Sequence, residues 1–263
     1  MRFPALVLVS VVALGLTAAR AASLPDTGQD LCDDDAHGLV TCTSANTGDA
    51  ATYPRQDGRF GRDAKAAAGT LTKIGGGAAG FDYSKIANNG SDLGAGVGLA
   101  LGTNPTDWAC TRDNITGLTW EVKVNYASHL RHKNWTYTWY HSNGSTNAGD
   151  AGTASGTSNS CQTAGRCDTE KFVADVNATA LCGYSDWRMP TRLKLLTLVH
   201  DGTPGPSIDA TYFPNTQSSG FSSGSSYVRD PAFAWGVNFS YGGASGVYKS
   251  NSSYVRLVRG GQF

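Results

Sequence analysis

The residues with the most evident chemistry lie between Gly220 and Phe263. Two polar runs, Ser240-Tyr241-Gly242-Gly243-Ala244-Ser245-Gly246-Val247-Tyr248 and Ser250-Asn251-Ser252-Ser253, are framed by Ala234-Trp235, Val237-Asn238-Phe239 and Tyr254-Val255-Arg256-Leu257-Val258-Arg259. The chemistry is recognition: Tyr gives rigid amphipathic contact area, and Ser, Gly and Asn give adaptable hydrogen bonds. The expected ligand-binding residues are Ser225, Ser226, Tyr227, Arg229, Gly236, Ser240, Tyr241, Ala244, Ser245, Val247, Tyr248, Ser250, Asn251, Ser252 and Ser253. Tyr227, Tyr241 and Tyr248 are the expected anchors.

Catalytic and metal chemistry find less support. Asp33-Asp34-Asp35 lacks the alternating acids, central Gly and distal Glu of a calcium loop. His129 and His132 would share a helix face but have no third ligand, so they read as surface residues. Glu occurs only at Glu121 and Glu170, so a glycosidase carboxylate pair would have to draw on Asp. Asp186, beside Trp187-Arg188, reads as a framework Asp–Arg contact. No cofactor or metal is expected, and the chain reads as a binding protein rather than an enzyme.

Residues 1–21 read as a secretory signal peptide, with Arg2 in the n-region, an apolar run from Leu6 to Leu16, and Ala19-Arg20-Ala21 at the cleavage site. The expected location is secreted, extracellular or periplasmic, with surface association open and no membrane span after cleavage. Six Cys in an oxidising compartment suggest three disulfides. Short loops suggest Cys32–Cys42 and Cys161–Cys167, which leaves Cys110–Cys182. All thiols are then consumed, and no reactive thiolate remains.

Net charge is zero but unevenly placed. Eight Asp face three Arg between Ser23 and Asp63, whereas Arg229, Lys249, Arg256 and Arg259 face only Asp230 after Gly220. A basic C-terminal face favours an anionic ligand, or its Arg residues are framework ion pairs. No Lys/Arg-rich patch suggests nucleic acid.

These residues need elements to position them. Asp168 to Leu181 reads as a helix with Asp168 as N-cap, Phe172, Val173, Val176 and Ala180 near one face, and Gly183 as its stop. Thr191 to His200 reads as a second helix with Leu195, Leu196 and Val199 inward, ending at Gly202. Leu118 to Val122, Ala234 to Ser240 and Val255 to Arg259 read as strands, with a turn at Gly242-Gly243. Trp108, Trp120, Trp187 and Trp235 read as core. Trp135, Tyr137 and Trp139 would share a strand face, either packed in the core or stacking sugars. Ser142 to Ser160 reads as a long exposed insertion. Residues 22–106 read as a loop-rich region packed on, or leading into, a main domain of residues 107–263. The layout is α+β.

Trp108-Ala109-Cys110, Arg112-Asp113-Asn114-Ile115-Thr116-Gly117-Leu118-Thr119-Trp120-Glu121, Leu181-Cys182-Gly183-Tyr184-Ser185-Asp186-Trp187-Arg188-Met189-Pro190-Thr191, Ala234-Trp235 and Tyr254 to Arg259 together resemble the Lcl C-terminal-like domain. That resemblance implies a C-type-lectin-like fold and, in adhesin members, trimers that bind sulfated polysaccharide. The tail also resembles the variable region of proteins diversified by retroelements. The varied positions would then be Gly236, Ser240, Tyr241, Ala244, Ser245, Val247, Tyr248 and Ser250 to Ser253. Two functions follow. One is a diversified receptor recognising a protein or glycan through this surface. The other is a fixed-specificity envelope adhesin that binds anionic polysaccharide through Arg229, Lys249, Arg256 and Arg259.

Overall fold

A computed structural model describes residues 26–34, 38–42, 54–96, 98–156 and 160–261. The signal-peptide reading at residues 1–21 and Asp35 of the acidic run lie outside the described residues.

The strand expected at Leu118 to Val122 forms the heart of the larger sheet. Five antiparallel strands lie in the order β12-β6-β5-β3-β4: β3 (Tyr83–Ala87), β4 (Asp92–Gly94), β5 (Trp108–Asp113), β6 (Leu118–Glu121) and β12 (Val258–Gly260). All four residues of β6 are buried, so this strand is covered on both faces. Strands β3 and β4 come from upstream of residue 107; β3 pairs directly onto β5, and β4 pairs onto β3 at the edge. Gly75 lets the preceding segment bridge to the start of β3: a Cβ there would sit 2.0 Å from the Tyr83 carbonyl oxygen.

A second antiparallel sheet has the order β10-β9-β8, from β8 (Gly220–Ser226), β9 (Phe233–Asn238) and β10 (Gly243–Tyr248). The Gly242-Gly243 turn lies between β9 and β10, and Gly242 uses its freedom at φ 76°. Two small pairs complete the strands: β1 (Leu31–Asp34) with β2 (Gly38–Thr41), and β7 (Tyr137–Thr138) with β11 (Ser252–Ser253). The architecture is α+β, with short antiparallel strands, long loops and few helices.

Helix α1 (Gly61–Ala67) has no counterpart in the sequence reading; the Asp26 carboxylate accepts the Arg62 and Asp63 amides at its start. Helix α2 (Thr169–Ala178) starts as expected, with the Asp168 carboxylate accepting the Lys171 amide at 2.9 Å. It stops before Leu181, because Ala180 (φ 48°) and Cys182 (φ 53°) are left-handed. The turn that ends the helix is also the one that carries Cys182 to Cys110. Helix α3 (Arg192–Leu196) is shorter than expected. The Thr191 hydroxyl accepts the Lys194 amide at its start, and the Thr197 hydroxyl donates to the Lys194 carbonyl at its end.

Other expectations are corrected. His129 lies at a bend and His132 in an isolated bridge with Val124 rather than on a helix, and His132 is buried rather than a surface residue. Their ring Nδ1 atoms accept nearby backbone amides, of Arg131 and Asn134 respectively. Val255 to Leu257 precede β12 rather than belonging to it, since the buried Glu121 carboxylate accepts the Leu257 amide that a strand partner would otherwise take. Trp139 and Tyr137 are buried, and Tyr137 stacks on Phe172 with centroids 4.4 Å apart.

Two cores hold the elements. One packs Tyr83 and Trp120 of the large sheet, with Phe81 just before it, against Leu195, Phe221 and Val237. The other packs Phe172 and Val176 of α2 with Trp187 and Val255 around Cys110–Cys182. Cys32–Cys42 and Cys161–Cys167 are the remaining disulfides, and no described Cys is free.

Candidate ligand-binding site

The basic C-terminal residues are mostly framework. Arg256 is fully buried; it donates to the Glu121 carbonyl at 2.8 Å and the Thr216 hydroxyl at 2.6 Å, and lies over Phe213. Burial pulls its pKa down to about 10, against the pull of Glu121. Lys249 is 2% exposed, and its ammonium donates to the carbonyls of Asn147 (2.8 Å) and Asp150 (2.6 Å) above the Trp139 ring. It pins the 142–153 segment onto the C-terminal region. Arg259 is held by Asp186 at 2.7 Å and stacks on Tyr184. The Asp–Arg contact expected at Asp186 is therefore made, with Arg259 as partner. Of the four cations expected to meet an anionic ligand, only Arg229 is exposed, in the connection between β8 and β9.

Two other cations face an open groove. Helix α3 packs beside β8 and β9, leaving a groove of about 520 Å³ lined by Thr191, Arg192, Lys194, Thr197, Ser225, Ser226 and Trp235. The Arg192 guanidinium lies 4.3 Å from the Trp235 ring centroid. A guanidinium is a planar fork of N–H donors that matches a carboxylate or sulfate and also packs over aromatic rings. Lys194 is 7% exposed; burial and then the Arg188 charge lower its pKa. Among the described residues no carboxylate forms an ion pair with Arg192 or Lys194. The groove thus holds two cations without a carboxylate partner among the described residues, on a largely apolar lining that includes Leu193. Its wall is tied by the Arg192 amide donating to Ser225 Oγ at 3.0 Å and the Gly224 amide donating to the Pro190 carbonyl at 2.7 Å.

Trp235 is thus a half-buried groove residue rather than pure core. Aromatic rings continue outward from it. Tyr227 meets Trp235 edge-on at 4.8 Å, Tyr227 and Phe233 are 6.2 Å apart, and Phe233 lies 3.9 Å from the exposed Tyr248.

The expected ligand residues therefore separate. Ser225 and Ser226 line the groove, and Tyr227 and Tyr248 belong to the aromatic strip. Ser240 and Tyr241 sit at the turn after β9, and Ala244, Ser245 and Val247 are on the edge strand β10. Ser250 and Asn251 are exposed beyond β10, and Ser252 and Ser253 pair with β7. Gly236 is withdrawn from the surface: it is buried on the central strand, and a Cβ would meet Phe221 O at 3.0 Å and Val247 Cγ2 at 3.1 Å.

Other clusters do not form a reaction centre. Asp26, Asp57 and Asp63 bring carboxylate oxygens within 4.8 Å of one another. Their oxygens already accept protein donors: Asp63 the Gly28 and Gly80 amides, Asp26 the amides opening α1, and Asp57 the Thr27 hydroxyl. Gly220-Phe221-Ser222-Ser223-Gly224 has the spacing of a hydrolase nucleophile turn, but it is strand β8 rather than a strand-to-helix elbow. Ser222, the serine at the nucleophile position of that pattern, is buried within the strand at 4% exposure. A cavity of about 290 Å³ beside Trp139, Tyr140 and Glu170 already has Lys249 over Trp139 and Lys171 over Tyr140.

Sequence reasoning missed Arg192 and Lys194. Their only signal was position, two cations in the first turn of a helix otherwise read from its apolar residues. What makes them a site is β8 and β9, more than 25 residues downstream.

No curated protein and no solved structure matches the chain. Among the described residues no helix is long and apolar enough to cross a membrane. The family model for the Lcl C-terminal domain, a non-catalytic adhesion and ligand-binding module, matches residues 109–259. That span holds β5 through most of β12, Cys110–Cys182 and the whole Arg192–Trp235 groove, and it exceeds half of the chain; the protein belongs to the Lcl C-terminal domain family.

Proposed function

We propose that this protein is an exported, fixed-specificity adhesin module that binds anionic polysaccharide in the groove between α3 and β8–β9. One observation carries the reading: Arg192 lies over Trp235 with no carboxylate among the described residues neutralising it, and Lys194 lines the same groove. Sulfate or carboxylate groups on a glycan supply the missing charge, and the hydroxyls of Thr191, Thr197, Ser225 and Ser226 suit the sugar hydroxyls around it. The scaffold is C-type-lectin-like in this reading, supported by helices α2 and α3 packed beside short antiparallel strands joined by long loops. Export is supported by three disulfides.

Binding to immobilised dextran sulfate tests the proposal, with uncharged dextran as control. The sulfated polymer binds, binding weakens steeply with added salt, and Arg192→Gln with Lys194→Gln removes most of it at unchanged melting temperature. Binding that survives the double substitution excludes the groove.

A second reading, an adaptable receptor surface on β10, is favoured by the exposure of Tyr241, Ala244, Ser245, Tyr248, Ser250 and Asn251. Different chains of this kind, varied at these positions and identical in the groove, would then bind different ligands.

A further inference from the structure

We infer that the site takes an internal stretch of a polymer, several sugars long, rather than a single sugar or a chain end. The inference rests on the anionic-polysaccharide reading above and adds how the chain lies. The groove is open and does not end at Arg192: Trp235, Tyr227, Phe233 and Tyr248 form a continuous line of rings from the cationic groove to the sheet edge. A pocket that reads one sugar or a chain end needs a closed wall, whereas an open line of ring surfaces supports successive apolar sugar faces.

Gly246 keeps the line uncovered. It pairs with Trp235 across the β9–β10 ladder, and its missing Cβ points at the rings, 3.5 Å from Phe233 Cδ1 and 3.7 Å from Tyr227 Cδ2. Any longer side chain at this exposed position would lie over Tyr227 and Phe233. The four rings are themselves uncharged, so the anionic group is read at the end where Arg192 and Lys194 lie. The sugars beyond it are held by stacking, which is tolerant of their identity. The chain continues past Tyr248 into solvent.

Dextran sulfate oligosaccharides of defined length, from disaccharide to decasaccharide, test this by calorimetry on the full chain. Affinity rises at least tenfold with length and then levels off once the strip is covered. Gly246→Val covers the strip with a residue that suits an edge strand; it removes the gain with length and leaves disaccharide affinity within twofold of wild type. Tyr248→Ala, at an exposed position, shifts the plateau to shorter chains and serves as the second variant if Gly246→Val fails to fold. Equal affinity for disaccharide and decasaccharide, or a length gain undiminished in the folded variants, overturns the inference while leaving the groove reading standing. Failure of every length to bind sinks both.

Discussion

Arg192 lies over the Trp235 ring, guanidinium carbon 4.3 Å from the ring centroid, and this pairing joins helix α3 to the central strand of the smaller sheet. The ring holds the cation in one orientation before any ligand arrives, so less side-chain freedom is lost on binding. The same contact keeps Trp235 from packing fully into the core.

Replacing Arg192 by Lys keeps the charge and discards the planar fork. Affinity for dextran sulfate falls about tenfold, ~1.4 kcal/mol, with the melting temperature unchanged. Titration calorimetry reads both arms, and full affinity in Arg192→Lys would show that charge alone suffices.

Lys249 has the opposite role. Removing its ammonium as Lys249→Met leaves the buried carbonyls of Asn147 and Asp150 without their donor. The cost is ~2 kcal/mol of stability, seen as a lower denaturation midpoint. Polysaccharide affinity of the folded fraction stays within twofold. A loss of affinity without a loss of stability would return Lys249 to the ligand surface.

His129 makes stability depend on mild acid. Burial, then the charge of Arg131, lowers its pKa to about 4 from 6.5, and its Nδ1 accepts the Arg131 amide. Between those values the unfolded chain binds a proton that the folded chain does not, so stability is lost as pH falls from 6.5 towards 4. Screening at this half-exposed ring keeps the loss to ~1–2 kcal/mol. His129→Asn flattens that part of the stability–pH curve; an unchanged slope in urea titrations would assign it to other groups.

The three disulfides contribute unequally. Cys110–Cys182 spans 72 residues and Cys161–Cys167 spans 6. Chain entropy assigns ~4 kcal/mol to the first and ~2 kcal/mol to the second. Paired Cys→Ala substitutions compared by equilibrium denaturation check the order, which a larger loss at Cys161–Cys167 would reverse.

The sequence by itself determined the local elements and the covalent frame. Asp168 and Thr191 announce helix starts because a side-chain oxygen beside free amides is a local interaction. The disulfide pairs follow from even Cys count and short loops, and the family from motifs spread over residues 109–259. The polar C-terminal segment was also legible as surface, since Tyr241, Tyr248 and their Ser and Gly neighbours have little to bury.

Only the tertiary structure decided which charges are free. Arg192, Lys249, Arg256 and Arg259 look alike in sequence, but their neighbours come from far along the chain: Asn147 and Asp150 for Lys249, Glu121 for Arg256, Asp186 for Arg259, and Trp235 for Arg192. A cation's role is set by whether an acceptor satisfies it in the fold. That depends on long-range packing, which the pattern of residue types along the chain does not encode.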